Sequence, residues 1–299
     1  FKRQRQTDAS LIRIYFRYIC VQNRSMYTEY QPSHLLVPYI DSYWEFKGNP
    51  DYGMRIHILP DGCTDFIFTL GEVANAVEEG SLIMQPYRSY FVGPMTKYSE
   101  LVTYTESIHM FGVRFLPCGL SCFTNLPLHE FVNSRVSTNE MKAVFDDTFI
   151  EKLGEQKHVT DRIRVVEEYL LAYLARHYQP ADSHVAMAVN MINHSKGKRS
   201  VRSLMDDVCL CQRHFERKFK HYTGFTPKEY SRIVKFKNAV ELLRTTTSAN
   251  LLTTAVDAGY YDLAHFSKEI KSMSGNTPAS FLSLTVPEET TLTYIEPQR

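Results

Sequence analysis

No run of 18 apolar residues occurs anywhere in the 299 positions, which excludes a membrane-spanning helix. Cysteine is scarce: six residues without periodic spacing do not make a secreted disulfide framework, and a reducing cytoplasm is the simplest compartment. Glycine and proline number 13 each, far from a collagen-like or disordered composition. Residues 1–25 have neither the apolar core nor the small-residue cleavage site of a signal peptide. Metal chemistry also lacks its usual marks. No His-x-His occurs, and His57 and His109 stand 52 residues apart, so a metal-dependent β-barrel enzyme has no visible ligand set. A cysteine alkyl acceptor would need a zinc-bound thiol cluster, and Cys63 stands alone in its region. No cofactor is expected, and the chain does not read as an enzyme.

What is present is segregated. Apolar residues make up 43% and charged residues 22%, enough for two domains or three. The net charge of +1 hides a division near Pro180: Met26 to Ser183 holds 12 Lys/Arg against 21 Asp/Glu, a net −9, whereas His184 to Thr285 holds 15 against 8, a net +7. The basic third has the electrostatic profile of a polyanion binder. Residues 1–25 carry six basic residues and one acid. They are expected to be a poorly ordered extension ahead of a start at Met26, with a DNA-touching arm as the alternative.

Between Pro38 and Phe123 short strands alternate with turns. Candidates are Tyr39–Phe46, Met54–Leu59, Cys63–Leu70, Tyr90–Val92, Leu101–Tyr104 and Ile108–Phe115. The tripeptide Pro60-Asp61-Gly62 predicts a hairpin between the second and third. This is the pattern of a small sandwich or barrel over residues 26–126. From 127 to 178 the period turns helical: Ile163, Val166, Leu170 and Leu174 share one face of a helix over 160–177. That stripe either packs on the β-rich domain or forms a homodimer seam. Gln179-Pro180-Ala181-Asp182 breaks the helix, so 179–183 reads as a linker to an all-α domain over 184–285, with a tail at 286–299. The fold class is α+β.

The strongest signal is a self-match at an offset of 51 residues, where His214–Pro227 aligns with His265–Pro278 through shared His, Phe, Lys, Gly, Thr and Pro. In the first copy a helix over Val201–Val208 follows a Ser200 N-cap, a tight turn at Cys209-Leu210-Cys211 comes next, and a helix from Gln212 to Tyr222 ends at Gly224. In the second, Leu252–Ala258 leads to a Gly259 turn and a helix from Asp262 to Met273 ending at Gly275. Phe215 and Phe219, like Phe266 and Ile270, face inward. Arg213, Glu216, Arg217 and Lys220 face outward, as do Ala264, Ser267, Lys268 and Lys271. Helix, turn, helix with a basic outer face is the form that lays its second helix in a major groove. Between the copies, Pro227 opens a helix to about Arg244, with Ile233, Phe236, Val240 and Leu243 as its apolar stripe and Arg232, Lys235 and Lys237 solvated. Such a helix spans roughly 27 Å, on the scale of the ~34 Å turn separating successive major grooves on one face of B-DNA.

These motifs resemble the tandem helix-turn-helix domain of the AraC/XylS family of bacterial transcription regulators. The matching residues are Phe215-x-Arg217-x-Phe219-Lys220 with Gly224-x-Thr226-Pro227-x-x-Tyr230, Ala255-x-x-Ala258-Gly259-Tyr260, and Phe266-x-Lys268-x-Ile270-Lys271 with Gly275-x-Thr277-Pro278. The departures are Met205 for a small alanine, Cys209 for the turn glycine, Cys211 for the serine cap and Thr254 for an isoleucine. In the N-terminal part, Tyr39-Ile40-Asp41-Ser42-Tyr43-Trp44, Pro60-Asp61-Gly62-Cys63-Thr64-Asp65 and Gly112-Val113-Arg114-Phe115 resemble the β-rich sensor domain of many such regulators.

The resemblance implies sequence-specific binding to double-stranded DNA and activation of transcription, with RNA polymerase and an unidentified small-molecule effector as further partners. By motif position, Gln212, Arg213, Glu216, Arg217 and Lys220 on the first recognition helix, and Leu263, Ala264, Ser267, Lys268 and Lys271 on the second, are the candidate DNA contacts. Arginine pairs bidentately with guanine and lysine more often clamps phosphate. Glu216 accepts from cytosine or pairs with Lys220. The helix N-termini at Ser200 and Thr226 are candidate phosphate contacts. His214 and His265 read as local hydrogen-bonders, and Cys209 and Cys211 as packing thiols rather than a metal or redox site; Cys118 and Cys122 share one face only if their segment is helical, and nothing else joins them. The competing classes are an architectural DNA-binding protein without a sensor, and a DNA-repair or metal enzyme carrying the same domain.

Overall fold

The computed structural model describes residues 26–78, 80–141, 144–145, 147–177, 179–208, 210–245 and 251–282. The expectations for the basic extension, for Cys209 and for the tail lie outside these residues.

Nine strands form two antiparallel sheets among the described residues. They are β1 (Tyr27–Tyr30), β2 (Ile40–Gly48), β3 (Met54–Ile58), β4 (Thr64–Thr69), β5 (Asn75–Ala76), β6 (Ser89–Val92), β7 (Ser99–Thr103), β8 (Ile108–Phe115) and β9 (Arg135–Ser137). The larger sheet runs β1-β2-β8-β4-β6-β9 and the smaller β3-β7-β5. Period-two alternation divides the larger sheet's side chains. Tyr43, Phe66, Phe68, Phe91, Phe111 and Val113 pack on one face against helices α1 (Asp147–Gly154) and α2 (Val159–His177). Trp44, Phe46, Ile67, Tyr90 and Met110 point the other way, toward Met54, Ile56 and Leu101 of the smaller sheet. The α2 stripe is thereby settled: Val166 and Leu170 are fully buried on the β-rich domain, with Ile163 and Leu174 beside them. An apolar face consumed inside the domain cannot also be a homodimer seam, so the seam over 160–177 is withdrawn.

The expected hairpin at Pro60-Asp61-Gly62 is also corrected. β3 pairs with β7, and β4 pairs with β6 and β8, so this tripeptide crosses from one sheet to the other. Asp61 Oδ1 accepts the Cys63 N–H at 2.9 Å, and both Asp61 and Asp65 converge on the buried Arg114 guanidinium, at 3.5 and 3.2 Å. Gly62 takes φ +88°, and a Cβ there would lie 2.8 Å from the Tyr230 ring. The three N-terminal sequence segments meet here. Trp44 Nε1 donates to Asp65 at 2.8 Å, and a Cβ on Gly112 would stand 1.9 Å from the Trp44 indole, so only glycine fits beneath that ring.

The C-terminal part is all helix: α3 (Ser183–His194), α4 (Val201–Val208), α5 (Gln212–Thr223), α6 (Pro227–Thr245), α7 (Leu251–Asp257), α8 (Leu263–Ser274) and α9 (Pro278–Leu282). Sequence reasoning passed over α1, α3 and α9. For α3 the signal was present: Asp182 caps the helix by accepting from the His184 and Val185 N–H groups at 3.1 and 3.2 Å, and Val185, Ala188, Val189 and Ile192 recur at helical spacing and are buried. α6 runs through the middle of this core, buried along most of its length.

Candidate nucleic-acid interface

The two helix-turn-helix units are α4–α5 and α7–α8. In the first, the Ser203 N–H donates to Ser200 Oγ at 3.1 Å, which starts α4, and Leu204 and Val208 turn inward. In both units the second helix buries its aromatic and aliphatic pair, Phe215 with Phe219 and Phe266 with Ile270, each fully buried. The helix ends repeat bond for bond. Gly224 at φ +84° and Gly275 at φ +75° each donate an N–H to a lysine carbonyl four residues back, Lys220 and Lys271, at 2.9 Å. The hydroxyls of Thr223 and Ser274 each donate to a carbonyl four residues back at 2.7 Å. They also accept the N–H of Phe225 and Asn276, at 3.2 and 3.1 Å. A left-handed residue is needed at that position, and glycine adopts it without a Cβ penalty.

The helix starts differ. α8 begins at Asp262, whose carboxylate accepts the His265 N–H at 2.7 Å. α5 begins at Cys211, in the extended conformation of a cap but with no side-chain bond to the helix. The first unit thus lacks a stabilisation that the second has, worth typically ~1 kcal/mol.

On α5, Gln212, Arg213, Arg217 and Lys220 are exposed. Glu216 is half-buried and accepts from Gln212 Nε2 at 2.8 Å, so its helical partner lies four residues back and not at Lys220. On α8, Leu263, Ala264, Lys268 and Lys271 are exposed and Ser267 is half-buried. Ser200 is exposed as well. Thr226 is half-buried; its N–H and hydroxyl both donate to Glu229 Oε2 at 2.7 Å, while its Oγ1 accepts the Glu229 N–H at 3.1 Å. This is a reciprocal cap.

The basic residues of α6 are not simply solvated. Arg232 is bound to Glu269 of α8 through both Nε and Nη2. Lys235 donates to the Gly259 carbonyl at 3.2 Å and lies 5.6 Å from the Tyr260 ring centroid. Lys237 reaches the Asp61 carbonyl at 3.1 Å. All three are ties between elements.

The β-rich domain touches the recognition helices at their ends and leaves the outward basic residues open. A Cβ on Gly224 would stand 2.5 Å from Pro94, and one on Gly275 2.7 Å from the Tyr98 ring. The loop 94–98 thus contacts the C-terminal glycine of both recognition helices. His221 Nε2 lies 3.1 Å from Asn125 Oδ1, beside the short 3-10 turn Leu128–Phe131. The linker is fastened too, by Lys218 Nζ donating to Asp182 at 2.6 Å. The histidines of the β-rich domain stand apart: His57 pairs with Glu100 at 3.3 Å and His109 with Glu45 at 3.0 Å, on different sheets. Cys63, Cys118, Cys122 and Cys211 are free thiols, and burial raises the first three above the usual thiol range.

Two families of domain match the chain: a helix-turn-helix domain over residues 204–283, and a domain of unknown function (DUF6597) over residues 28–137. No curated protein matches it. Among solved structures it is similar to ToxT from Vibrio cholerae, at 9% identity over 81% of this chain and 98% of that one, with a TM-score of 0.48. A probable AraC family transcriptional regulator from Rhodopseudomonas palustris is 20% identical over 36% of this chain and all of its own length, with a TM-score of 0.32. The C-terminal domain of AraT, a response regulator from Geobacillus stearothermophilus, is 20% identical over 36% of this chain and 92% of its own, at a TM-score of 0.33. No helix among the described residues is long and apolar enough to cross a membrane. With the duplicated motifs, the repeated helix ends and the helix-turn-helix match together, the chain is a DNA-binding transcription regulator whose C-terminal part is a helix-turn-helix domain of the AraC type.

Proposed function

We propose that α5 and α8 enter successive major grooves on one face of a DNA duplex, and that the β-rich domain controls this through an effector or partner of its own. One observation carries the reading: two helices of the same design, ended by the same hydrogen bonds and both packed on the buried α6, present Arg213, Arg217 and Lys220, and Ala264, Lys268 and Lys271, to solvent. Arg213 and Arg217 are the base or phosphate contacts of the first helix. Gln212 and Glu216 frame them. Leu263, Ala264 and Ser267 supply a close-fitting apolar and hydroxyl surface on the second, with Lys268 and Lys271 toward phosphate and Ser200 at a helix start. Control passes through the β-rich domain's contacts with the helix ends, and RNA polymerase is recruited at the promoter.

The test uses the full chain. Operators are found by genome-wide immunoprecipitation of the tagged protein, and the strongest site is used for titration. Arg217→Ala should weaken that site about 10- to 100-fold, the ~1–3 kcal/mol of a lost bidentate base contact, while Lys228→Ala, exposed at the start of α6, changes affinity little. An Arg217→Ala protein with undiminished affinity for the site removes that residue from the interface. Arg232→Ala should leave the salt dependence of binding unchanged, because Arg232 is engaged with Glu269 and not with phosphate.

A further inference from the structure

The 51-residue offset sets each outward residue of α5 against one of α8. Arg217 and Lys220 correspond to Lys268 and Lys271, so the basic second half of the helix is kept. The first turn is not. Gln212 and Arg213 correspond to Leu263 and Ala264, both exposed, Leu263 by 38%. At these two positions α5 carries an amide and a guanidinium, and α8 has side chains that can neither donate nor accept a hydrogen bond. Just ahead of the α8 cap, Tyr261 is 92% exposed, whereas its counterpart Leu210 packs against the helical core. The polar side chains nearby are turned to local use. Asp262 accepts the His265 N–H at 2.7 Å, and the His265 ring stands edge-on to Tyr260 with centroids 5.5 Å apart. α8 therefore opens on an exposed apolar surface where α5 opens on a polar one.

We propose that this surface reads thymine, through the C5 methyl groups that T·A pairs present in the major groove. The N-terminal residues of a recognition helix meet base edges, and the thymine methyl is the one apolar group among the donors and acceptors displayed there. A base edge of donors and acceptors alone, set against Leu263, loses water without gaining a partner, while a thymine methyl gains burial. Ala264, where α5 has a long arginine, lets the helix come closer to the groove floor. The charge on the same face fits DNA rather than an apolar protein surface. Lys268 and Lys271 follow Ala264 by four and seven residues, on the same side of the helix, and are exposed as phosphate contacts must be. The inference rests on the reading that α5 and α8 both enter the duplex, and adds a division of labour: guanidinium readout in one half-site and methyl readout in the other.

The experiment titrates the full chain with its strongest operator, thymine being replaced by uracil in one half-site at a time. This removes the methyl group and leaves every hydrogen-bonding group of the base pair in place. The α5 half-site is the one whose base changes weaken the parent protein but not Arg217→Ala. In the other half-site uracil should weaken binding about three- to fivefold for each methyl buried, and in the α5 half-site by less than about twofold. Leu263→Ala should narrow the gap between thymine and uracil operators, and so should Leu263→Gln, which restores the side chain α5 has there. Equal affinity for the two operators, an α8 half-site without thymine, or an undiminished uracil effect in Leu263→Ala overturns the proposal. The uracil comparison on the unaltered protein decides the matter even where a variant fails to fold. If Arg217→Ala weakens binding and uracil has no effect, entry of the helices into DNA stands and thymine readout falls, which leaves the apolar surface to a protein partner. If neither matters, the reading of these helices as the DNA interface falls as well.

Discussion

Asp182 shows how one side chain serves two elements. Its carboxylate caps α3 and holds Lys218 of α5. Burial alone would push it up, but the Lys218 hydrogen bond, the Val185 N–H and the charges of Lys218 and His184 outweigh that and leave it below the usual carboxylate range. A carboxyl depressed in the folded state adds stability above its unfolded value of about 3.9 and loses it as the pH falls through the folded one. Asp182→Ala should therefore lower the denaturation midpoint at pH 7 by the equivalent of about 1 kcal/mol for the lost cap. Its curve and that of the parent should draw together below about pH 4, as urea unfolding followed by circular dichroism would show. A gap independent of pH would mean that packing, and not the charge, is what Asp182 supplies. At the same scale the sequence was partly legible. Asp262 and Ser200 were readable as caps because their bonds close within three residues, whereas the Lys218–Asp182 pair joins positions 36 apart and leaves no local trace.

Among the elements, the two recognition helices differ mainly at their starts. Cys211 has the backbone of an N-cap and lacks the side-chain acceptor. Cys211→Ser should supply that acceptor and stabilise the C-terminal domain by about 0.5–1 kcal/mol, measured as a higher urea midpoint; no gain would show that the α5 N–H groups already find partners. Helix existence followed from the sequence wherever an apolar period and a terminal glycine coincided, as in α5 and α8. Roles along α6 did not follow, because its apolar residues suggested a one-sided helix and the structure surrounds it. Arg232, Lys235 and Lys237 look alike as solvated cations in the sequence, and each meets a different element. The Pro60-Asp61-Gly62 turn was legible as a turn but not as a crossover. What it joins depends on β3 finding β7, some 40 residues on.

Over the whole molecule, the acidic and basic parts meet along α6, at Tyr230 and Lys237, and at the ends of the recognition helices, where one contact titrates. Burial, and less strongly the charge of His129, hold His221 below the ordinary imidazole range, with Glu130 opposing. A histidine depressed in the folded state favours the contact above its unfolded value of about 6.5 and ceases to as the pH falls through the folded one. Hydrogen exchange in the 3-10 turn Leu128–Phe131 should therefore quicken between pH 7.5 and 5.5 relative to the rest of the domain. His221→Gln, which keeps a donor for Asn125 without titrating, should abolish the difference; an unchanged pH dependence in that variant would assign it elsewhere. The β-rich domain grips the two recognition helices by their ends and leaves their outward basic residues exposed. Charge segregation along the chain pointed to a polyanion binder in one third, yet gave no sign that loop 94–98 would reach both repeats.

By itself the sequence determined that there are two basic helix-turn-helix units, where each recognition helix ends, and which residues face outward, because caps, left-handed glycines and 3.6-residue periods act within a turn or two of chain. Only the tertiary structure decided that the α2 stripe closes a β-rich domain rather than a dimer, that Arg232 is held by Glu269, and that loop 94–98 reaches the end glycines of both recognition helices. Those outcomes depend on which surfaces compete successfully for one another across tens to more than a hundred residues, and burial and electrostatics settle that competition over the folded whole.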